Sequence, residues 1–262
     1  MRMKRQADSD DMPIGRILSR REILALLGGS GAALLAACAP GALASPSSTA
    51  AQQTSAAATT AAAAASSLAA LPSCIVRPAV TEGPYFVDEK LNRSDIRSDP
   101  STGAVKDGAQ FALTFLVSRV TGSACAALSG ATVDVWHCDA LGVYSDATDP
   151  SFNTKGQKFL RGYQTTDASG KAQFTTIYPG WYQGRAVHIH FKIRTTTSEF
   201  TSQLFFDDAL NTQVFAQSPY SQKGTQGIMR NAADGIYNSQ LLLTVTKNGN
   251  AYAATFTIGL AS

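Results

Sequence analysis

Charge is scarce in this sequence. Of 262 residues only 16% are charged, against roughly 25% in an average soluble protein. Six of the basic residues and four of the acidic ones lie within residues 1–37, so the rest of the chain is close to neutral. A near-neutral chain offers nucleic acid no electrostatic footprint, and no nucleic-acid partner is expected. Long apolar runs are missing too: no stretch of 18 or more apolar residues is unbroken, which argues against a spanning helix. There is no internal repeat. Histidine is limited to three residues, 137, 188 and 190, and cysteine to four, 38, 74, 125 and 138.

What is present divides the chain in three. Residues 1–38 have the form of an export signal. A polar, charged start leads to Ser19-Arg20-Arg21-Glu22-Ile23-Leu24, a twin-arginine pattern, and then to a short Leu/Ala/Gly run. That run ends in Leu35-Ala36-Ala37-Cys38, which resembles a bacterial lipoprotein cleavage box. The expectation is export by the twin-arginine route to a periplasmic or extracellular location, with a membrane tether through a lipidated Cys38. Residues 39–73 are Ala, Ser or Thr at 26 of 35 positions and carry no charge. Such a segment has little to bury against its own ordering entropy. It is expected to be a flexible tether, its ends about 30 Å apart as a random coil.

Residues 74–262 are expected to form one all-β domain. Short β-like runs recur at Ala109–Val120, Ala131–Trp136, Ala172–Ile177, Val187–Ile193, Gln203–Phe206, Leu241–Val245 and Tyr252–Ile258. Turn signals separate them, with Asn248-Gly249 in a hairpin position. Seven or more short strands without a long helical pattern indicate an antiparallel β-sandwich or barrel. The loop-rich stretches 74–108 and 207–237 are long enough to serve a site.

His188 and His190 stand in V-H-I-H-F-K-I, within a strand pattern. A period of two puts both imidazoles on one face, with Cα atoms roughly 6.5–7 Å apart. They can reach one metal ion or simply decorate a polar sheet face. No Asp or Glu is close to the pair in sequence, which argues against a two-histidine, one-carboxylate ferrous site. Instead Tyr178-Pro179-Gly180-Trp181-Tyr182-Gln183-Gly184-Arg185 brings two phenols and a guanidinium back toward them. A phenol, with a free pKa of about 10, ionises at neutral pH only beside a strong cation. Ferric iron is such a cation, and two tyrosinates with one hydroxide would balance its charge.

Five segments carry a resemblance to a known family. They are Thr81-Glu82-Gly83-Pro84-Tyr85; Val135-Trp136-His137-Cys138-Asp139-Ala140 with Gly142-Val143-Tyr144-Ser145; Arg161-Gly162-Tyr163-Gln164-Thr165-Thr166-Asp167; Thr176-Ile177-Tyr178-Pro179-Gly180-Trp181-Tyr182; and His188-Ile189-His190-Phe191. In this order, over about residues 81–210, they resemble the intradiol ring-cleavage dioxygenases. The resemblance implies an antiparallel β-sandwich and a non-haem Fe(III) held by Tyr144, Tyr182, His188 and His190. It implies a catechol-type substrate and O2, with the ring opened between the hydroxylated carbons to a cis,cis-muconic acid. Tyr182 would be the ligand that leaves when substrate binds and Tyr144 the one that stays. Tyr178 is the rival for the second phenol, set aside because it precedes the Pro-Gly turn. Arg185 would stabilise negative charge near the ring, and Gln203 matches a family glutamine. Tyr163 is expected to be wall or packing, and His137 structural.

Two features depart from the family. Its catechol-type members carry an N-terminal helical dimerisation domain, where this chain has the leader and tether. Only Gln183–Val187 separate the second tyrosine from the first histidine, which implies an open site. An exported chain permits a disulfide; the sequence does not choose among the three pairings of Cys74, Cys125 and Cys138, or three unpaired thiols, and a Cys74–Cys138 bridge would anchor the loop holding Thr81–Tyr85. Two other readings stand beside this one: a tethered β-sandwich binding module without catalysis, and a ferrous His-x-His oxygenase of cupin type.

Overall fold

The strand named β1, Gln110–Thr121, shows why this sequence makes a sandwich. Phe111, Leu113, Phe115 and Val117 alternate with more exposed residues and are each 1% exposed or less. A period-two apolar face of this length must be covered by another layer. In the computed structural model, which describes residues 75–122 and 124–261, that layer is a second sheet. The leader, the tether, Cys38 and Cys74 lie outside the described residues.

The first sheet is built around β1. Along one edge β1 pairs with β11 (Ala251–Ala261), which pairs in turn with β10 (Thr246–Asn248). Along the other it pairs with β7 (Lys171–Ile177) and then β2 (Ala124–Ala127). The second sheet has the order β6 (Arg161–Thr165), β3 (Thr132–Trp136), β8 (His188–Arg194), β9 (Glu199–Phe205). Between β3 and β6 lies a two-strand ribbon, β4 (Thr148–Asp149) with β5 (Phe152–Asn153). Aromatic rings join the two sheets. Phe115 of the first lies 5.2 Å from Phe191 of the second, and Phe256 lies 5.5 Å from Phe191.

The expected strands form, with three differences. The β1–β11 pair is parallel, in register from Phe111↔Tyr252 to Val120↔Ala261. Parallel neighbours need a long crossover, and here most of the domain intervenes. Leu241–Val245 is no strand: a 3-10 turn, Ser239–Leu241, is followed by a single bridge from Leu242 to Phe205. Leu241 and Leu243 plug the core beside β9, an apolar alternation that mimics a strand. Within 207–237 lies one helix, α1 (Asp208–Phe215), whose N-cap Asp207 accepts from the Ala209 and Leu210 amides at 2.9 Å.

Of the pairings the sequence leaves open, Cys74–Cys138 is not made. Cys138 is free and buried, its thiol donating to the Gly180 carbonyl at 3.4 Å, and Cys125 is disulfide-bonded instead. Burial pushes the Cys138 thiol up to about 12, so it stays protonated. Among the described residues no helix is long and apolar enough to cross a membrane.

Phe115 touches Phe174, Phe191 and Phe256 across both sheets. Phe115→Ala should cost about 3–5 kcal/mol of unfolding free energy, measured as a lowered urea midpoint. A shift below about 1 kcal/mol would mean that the two sheets do not depend on this contact.

Candidate active site

On β8 the odd-numbered residues Ile189, Phe191 and Ile193 belong to the core between the sheets. His188 and His190 therefore face the other way, onto the outer side of the second sheet. There a separate buried cluster forms from Trp136, Cys138, Tyr144 and Ala147, with Tyr85, Phe86, Phe152 and Tyr182 against it. Trp136 is opposite His190 in the β3–β8 register and its indole stacks on the imidazole, 5.0 Å away and 9° from parallel.

Two glycines bring the phenols here. The Pro179-Gly180 turn lies directly on the carbonyls of Asp139 and Ala140, where any β-carbon at 180 would overlap main chain. The Gly180 amide donates to the Asp139 carbonyl at 3.1 Å. Gly142, at φ +82°, passes against the Trp181 carbonyl and the Lys223 ammonium, again with no room for a side chain. The loop carrying Tyr144 and the turn carrying Tyr182 are thus locked to each other. Lys223 caps the join, donating to the Trp181 carbonyl at 2.8 Å.

The Tyr144 hydroxyl is 3.2 Å from His188 Nε2, which is 2.9 Å from His190 Nε2. All three groups are buried, at 1%, 4% and 3% exposure. Tyr182 lines the same cleft, but its hydroxyl is held elsewhere: it donates to Asp149 Oδ2 at 2.6 Å and lies 2.8 Å from the Tyr85 hydroxyl. Tyr85 donates to the same Asp149 oxygen at 2.7 Å. Arg161, itself buried, donates to the Tyr85 carbonyl and to the Ser145 hydroxyl and carbonyl, tying both phenol-bearing segments together.

Arg185 also lines the cleft. Its Nε donates to Asp234 at 3.1 Å and its Nη2 to Gln203 Oε1 at 2.6 Å. Gln203 does not reach the cleft: it is fully buried behind Arg185, with its amide nitrogen on the Thr81 carbonyl at 2.9 Å. Asp234 also accepts from the Ala186 amide at 2.8 Å, and the Ala186 carbonyl lies 2.6 Å from His188 Nδ1. Tyr178 is in the core, donating to Asn211 at 2.7 Å. His137 has both ring nitrogens engaged, with the Cys138 carbonyl and the Thr176 hydroxyl. Tyr163 is half-buried on β6 and is not part of the cleft wall.

The donor set suits a metal cation. Burial holds His188 down to about 3 and His190 well below its usual range, so both imidazoles are neutral near pH 7. The Ala186 carbonyl takes the Nδ1 proton of His188, which leaves its Nε2 lone pair facing inward. His190 Nδ1 is buried without a partner. The two Nε2 atoms face each other at 2.9 Å, so without a cation one must donate and the other accept, whereas a cation can take both lone pairs. Burial also pushes Tyr144 and Tyr182 upward, so each phenol ionises only against strong positive charge. Among the described residues no three side chains of His, Cys, Asp and Glu converge, and the groups beside the two imidazoles are phenols.

Asp149 and Asp234 were not legible beforehand. Asp149 sits in a two-residue strand and Asp234 in a turn, neither of which carries periodicity. The only trace in sequence is the rarity of charge, which makes each carboxylate near the cleft count.

Comparison with known proteins adds a further set of findings. A family model described as "Dioxygenase" matches residues 81–237. A "Catechol 1,2-dioxygenase 1" of Acinetobacter lwoffii is 26% identical over 201 residues, covering 64% of this chain and 61% of the relative. The chain thus spans about three fifths of the length of that relative. Among solved structures, an intradiol ring-cleavage dioxygenase from Tetranychus urticae is 28% identical with a TM-score of 0.64, covering 71% of this chain and 94% of that one. The dioxygenase domain of a dioxygenase–carbohydrate-binding protein fusion from Streptomyces sp. SirexAA-E is 26% identical, with a TM-score of 0.52 over 71% of this chain and 99% of that one.

Gly180→Ala should drive the two loops apart. Overpacking of this kind costs roughly 1–3 kcal/mol. The substitution should also abolish tight metal binding, since Tyr144 and Tyr182 move relative to each other. Denaturation and metal stoichiometry measured together check this; a variant that keeps full metal affinity would show that the contact does not set the site.

Proposed function

The chain belongs to the intradiol ring-cleavage dioxygenase family, and from that premise we propose that it inserts both atoms of O2 into a catechol-type aromatic. The ring opens between the two hydroxylated carbons to give a cis,cis-muconic acid. The observation that carries this reading is the convergence of the buried Tyr144 phenol on two neutral imidazole nitrogens, with a second phenol, Tyr182, in the same cleft.

The residues that would hold a non-haem Fe(III) are Tyr144, Tyr182, His188 and His190. Ferric iron there would take both oxygens of a deprotonated diol and draw electron density from the ring, opening a ring carbon to dioxygen. The chain's own groups supply the rest. Tyr144 is buried and its neighbours are fixed by Arg161, which suits a permanent ligand. Tyr182 is only half-buried and has a second resting place, on Asp149 Oδ2 beside the Tyr85 hydroxyl. Were Tyr182 to give up a place on the iron to the diol, its phenolate would take up one of the diol's protons and donate it to Asp149 Oδ2, where the hydroxyl already rests. Hydrogen bonds from Ser151, Tyr182 and Tyr85 hold Asp149 well below the usual carboxylate range, so it accepts the Tyr182 O–H without being protonated itself. Arg185, fixed by Asp234 and Gln203, presents its guanidinium to negative charge developing in the cleft.

Iron-loaded protein should be red-brown from tyrosinate-to-Fe(III) charge transfer, and anaerobic catechol should shift the band to longer wavelength. Admitting air should then release muconate. Tyr182→Phe should lose kcat by about 100-fold or more, the scale of a positioned acid–base group, while keeping part of the band from Tyr144. A colourless protein with stoichiometric iron would overturn the tyrosinate assignment.

The pattern at residues 19–38 further supports export and lipid anchoring of the domain. Cys38→Ser should release the protein from the membrane fraction of a bacterial host while the exported domain keeps its activity. Wild-type protein found wholly in the soluble fraction would remove the anchor.

A further inference from the structure

The indole of Trp136 stacks on His190, and the same residue lines a small crevice where residues 86–91 lie over β3 and β6. The crevice has a volume of about 10 Å³, and Glu89, Asp134 and Arg161 share its wall. Two buried polar atoms of that wall, Trp136 Nε1 and Glu89 Oε1, have no hydrogen-bond partner among the described residues, so they do not bond to each other. Trp136 is 2% exposed and the Glu89 side chain 9%.

The charged groups around these two atoms are committed elsewhere. The other oxygen of Glu89 holds the Lys158 ammonium at 2.7 Å. The three guanidinium nitrogens of Arg161 donate to Ser145 and to the Tyr85 carbonyl. Both oxygens of Asp134 accept from Arg194, at 2.9 and 2.8 Å. What is left over is one donor and one acceptor. An indole N–H only donates and a carboxylate oxygen only accepts. A cation in the crevice would suit Glu89 and oppose the indole hydrogen, and an anion would do the reverse. The occupant must therefore accept and donate at once, without net charge. It must also be small: one water needs about 10–15 Å³ of such space, and nothing larger fits.

We propose that this crevice is a binding site for a single structural water, which accepts from Trp136 Nε1 and donates to Glu89 Oε1. A buried polar atom left bare costs its full desolvation, and a bridging water recovers nearly all of a direct hydrogen bond for both atoms at once. The bridge fastens the edge of the indole to residues 86–91, with Lys158 anchoring Glu89. The face of the same ring lies 5.0 Å from His190 and 9° from parallel to it. His190 is thus backed by a ring whose own setting the water fixes.

The chain has two tryptophans, so metal-free protein isotope-labelled at the indole nitrogens gives two indole N–H resonances, which Trp136→Phe or Trp181→Phe assigns. Trp181 is the internal control, since its Nε1 donates directly to the Gly224 carbonyl at 2.9 Å. Water NOE and ROE spectra should give the Trp136 N–H a cross-peak to a long-lived water, opposite in sign in the two spectra, which separates a bound water from proton exchange. Glu89→Met, close in shape but without the oxygens, should abolish that cross-peak. Glu89→Gln, whose amide carbonyl still accepts, should keep it. So should Lys158→Met, which breaks the ion pair and leaves Oε1 in place. A wild-type Trp136 N–H without the cross-peak overturns the proposal, and so does a cross-peak that survives Glu89→Met. If Glu89→Met does not fold, a high-resolution crystal structure of the wild type decides. Density within hydrogen-bond reach of both Nε1 and Oε1 supports the site, whereas an indole bonded straight to the carboxylate, or a bare crevice, overturns it. No iron is used, so the outcome stands apart from the dioxygenase reading.

Discussion

The site depends on one steric contact, the seating of the Pro179-Gly180 turn on the main chain at Asp139 and Ala140. Hydrogen bonds alone would leave such an approach adjustable. A glycine with no space for a β-carbon does not, because main chain meets main chain and neither can yield. Gly142 makes the reciprocal approach to Trp181. The two phenol-bearing segments are separated by β4 to β7 in sequence, and these contacts make them one surface. Cys138 and Lys223 close it from either side, the thiol onto the Gly180 carbonyl and the ammonium onto that of Trp181.

On that frame the electrostatics follow from burial. Desolvation keeps imidazoles and phenols alike in their neutral forms, so the cluster carries no charge of its own until a cation arrives. The permanent charges stand one layer out. Asp234 steadies Arg185 and, through the Ala186 peptide, sets which nitrogen of His188 keeps its proton. Asp149 gathers the two phenols that are not against the histidines. A neutral inner shell held by charged outer groups can bind a cation tightly and still let one ligand move.

Much of the architecture could be read from local pattern. Alternation along β1 and the turn at Asn248-Gly249 correspond to strands and a hairpin in the structure. The His-x-His spacing put both rings on one face because a strand allows no other outcome. Leu241–Val245 misled because core-plugging leucines beside a strand edge have the same alternation as a strand. The parallel β1–β11 pair and the unbridged Cys138 were out of reach for a different reason. Which strand neighbours which, and where a cysteine's Cβ points, are set by packing between distant segments.

The sequence by itself determined the strands, the inward and outward faces of β8, and the residue types able to hold a hard cation. These follow from periodicity and from the intrinsic chemistry of each side chain. The tertiary structure alone decided that Asp149 would hold Tyr182, that Asp234 would orient both Arg185 and His188, and that Gln203 would stand behind the cleft rather than in it. Those roles rest on approaches of about 3 Å between segments tens of residues apart, and such distances exist only once the two sheets have packed and the loops have closed over the outer face.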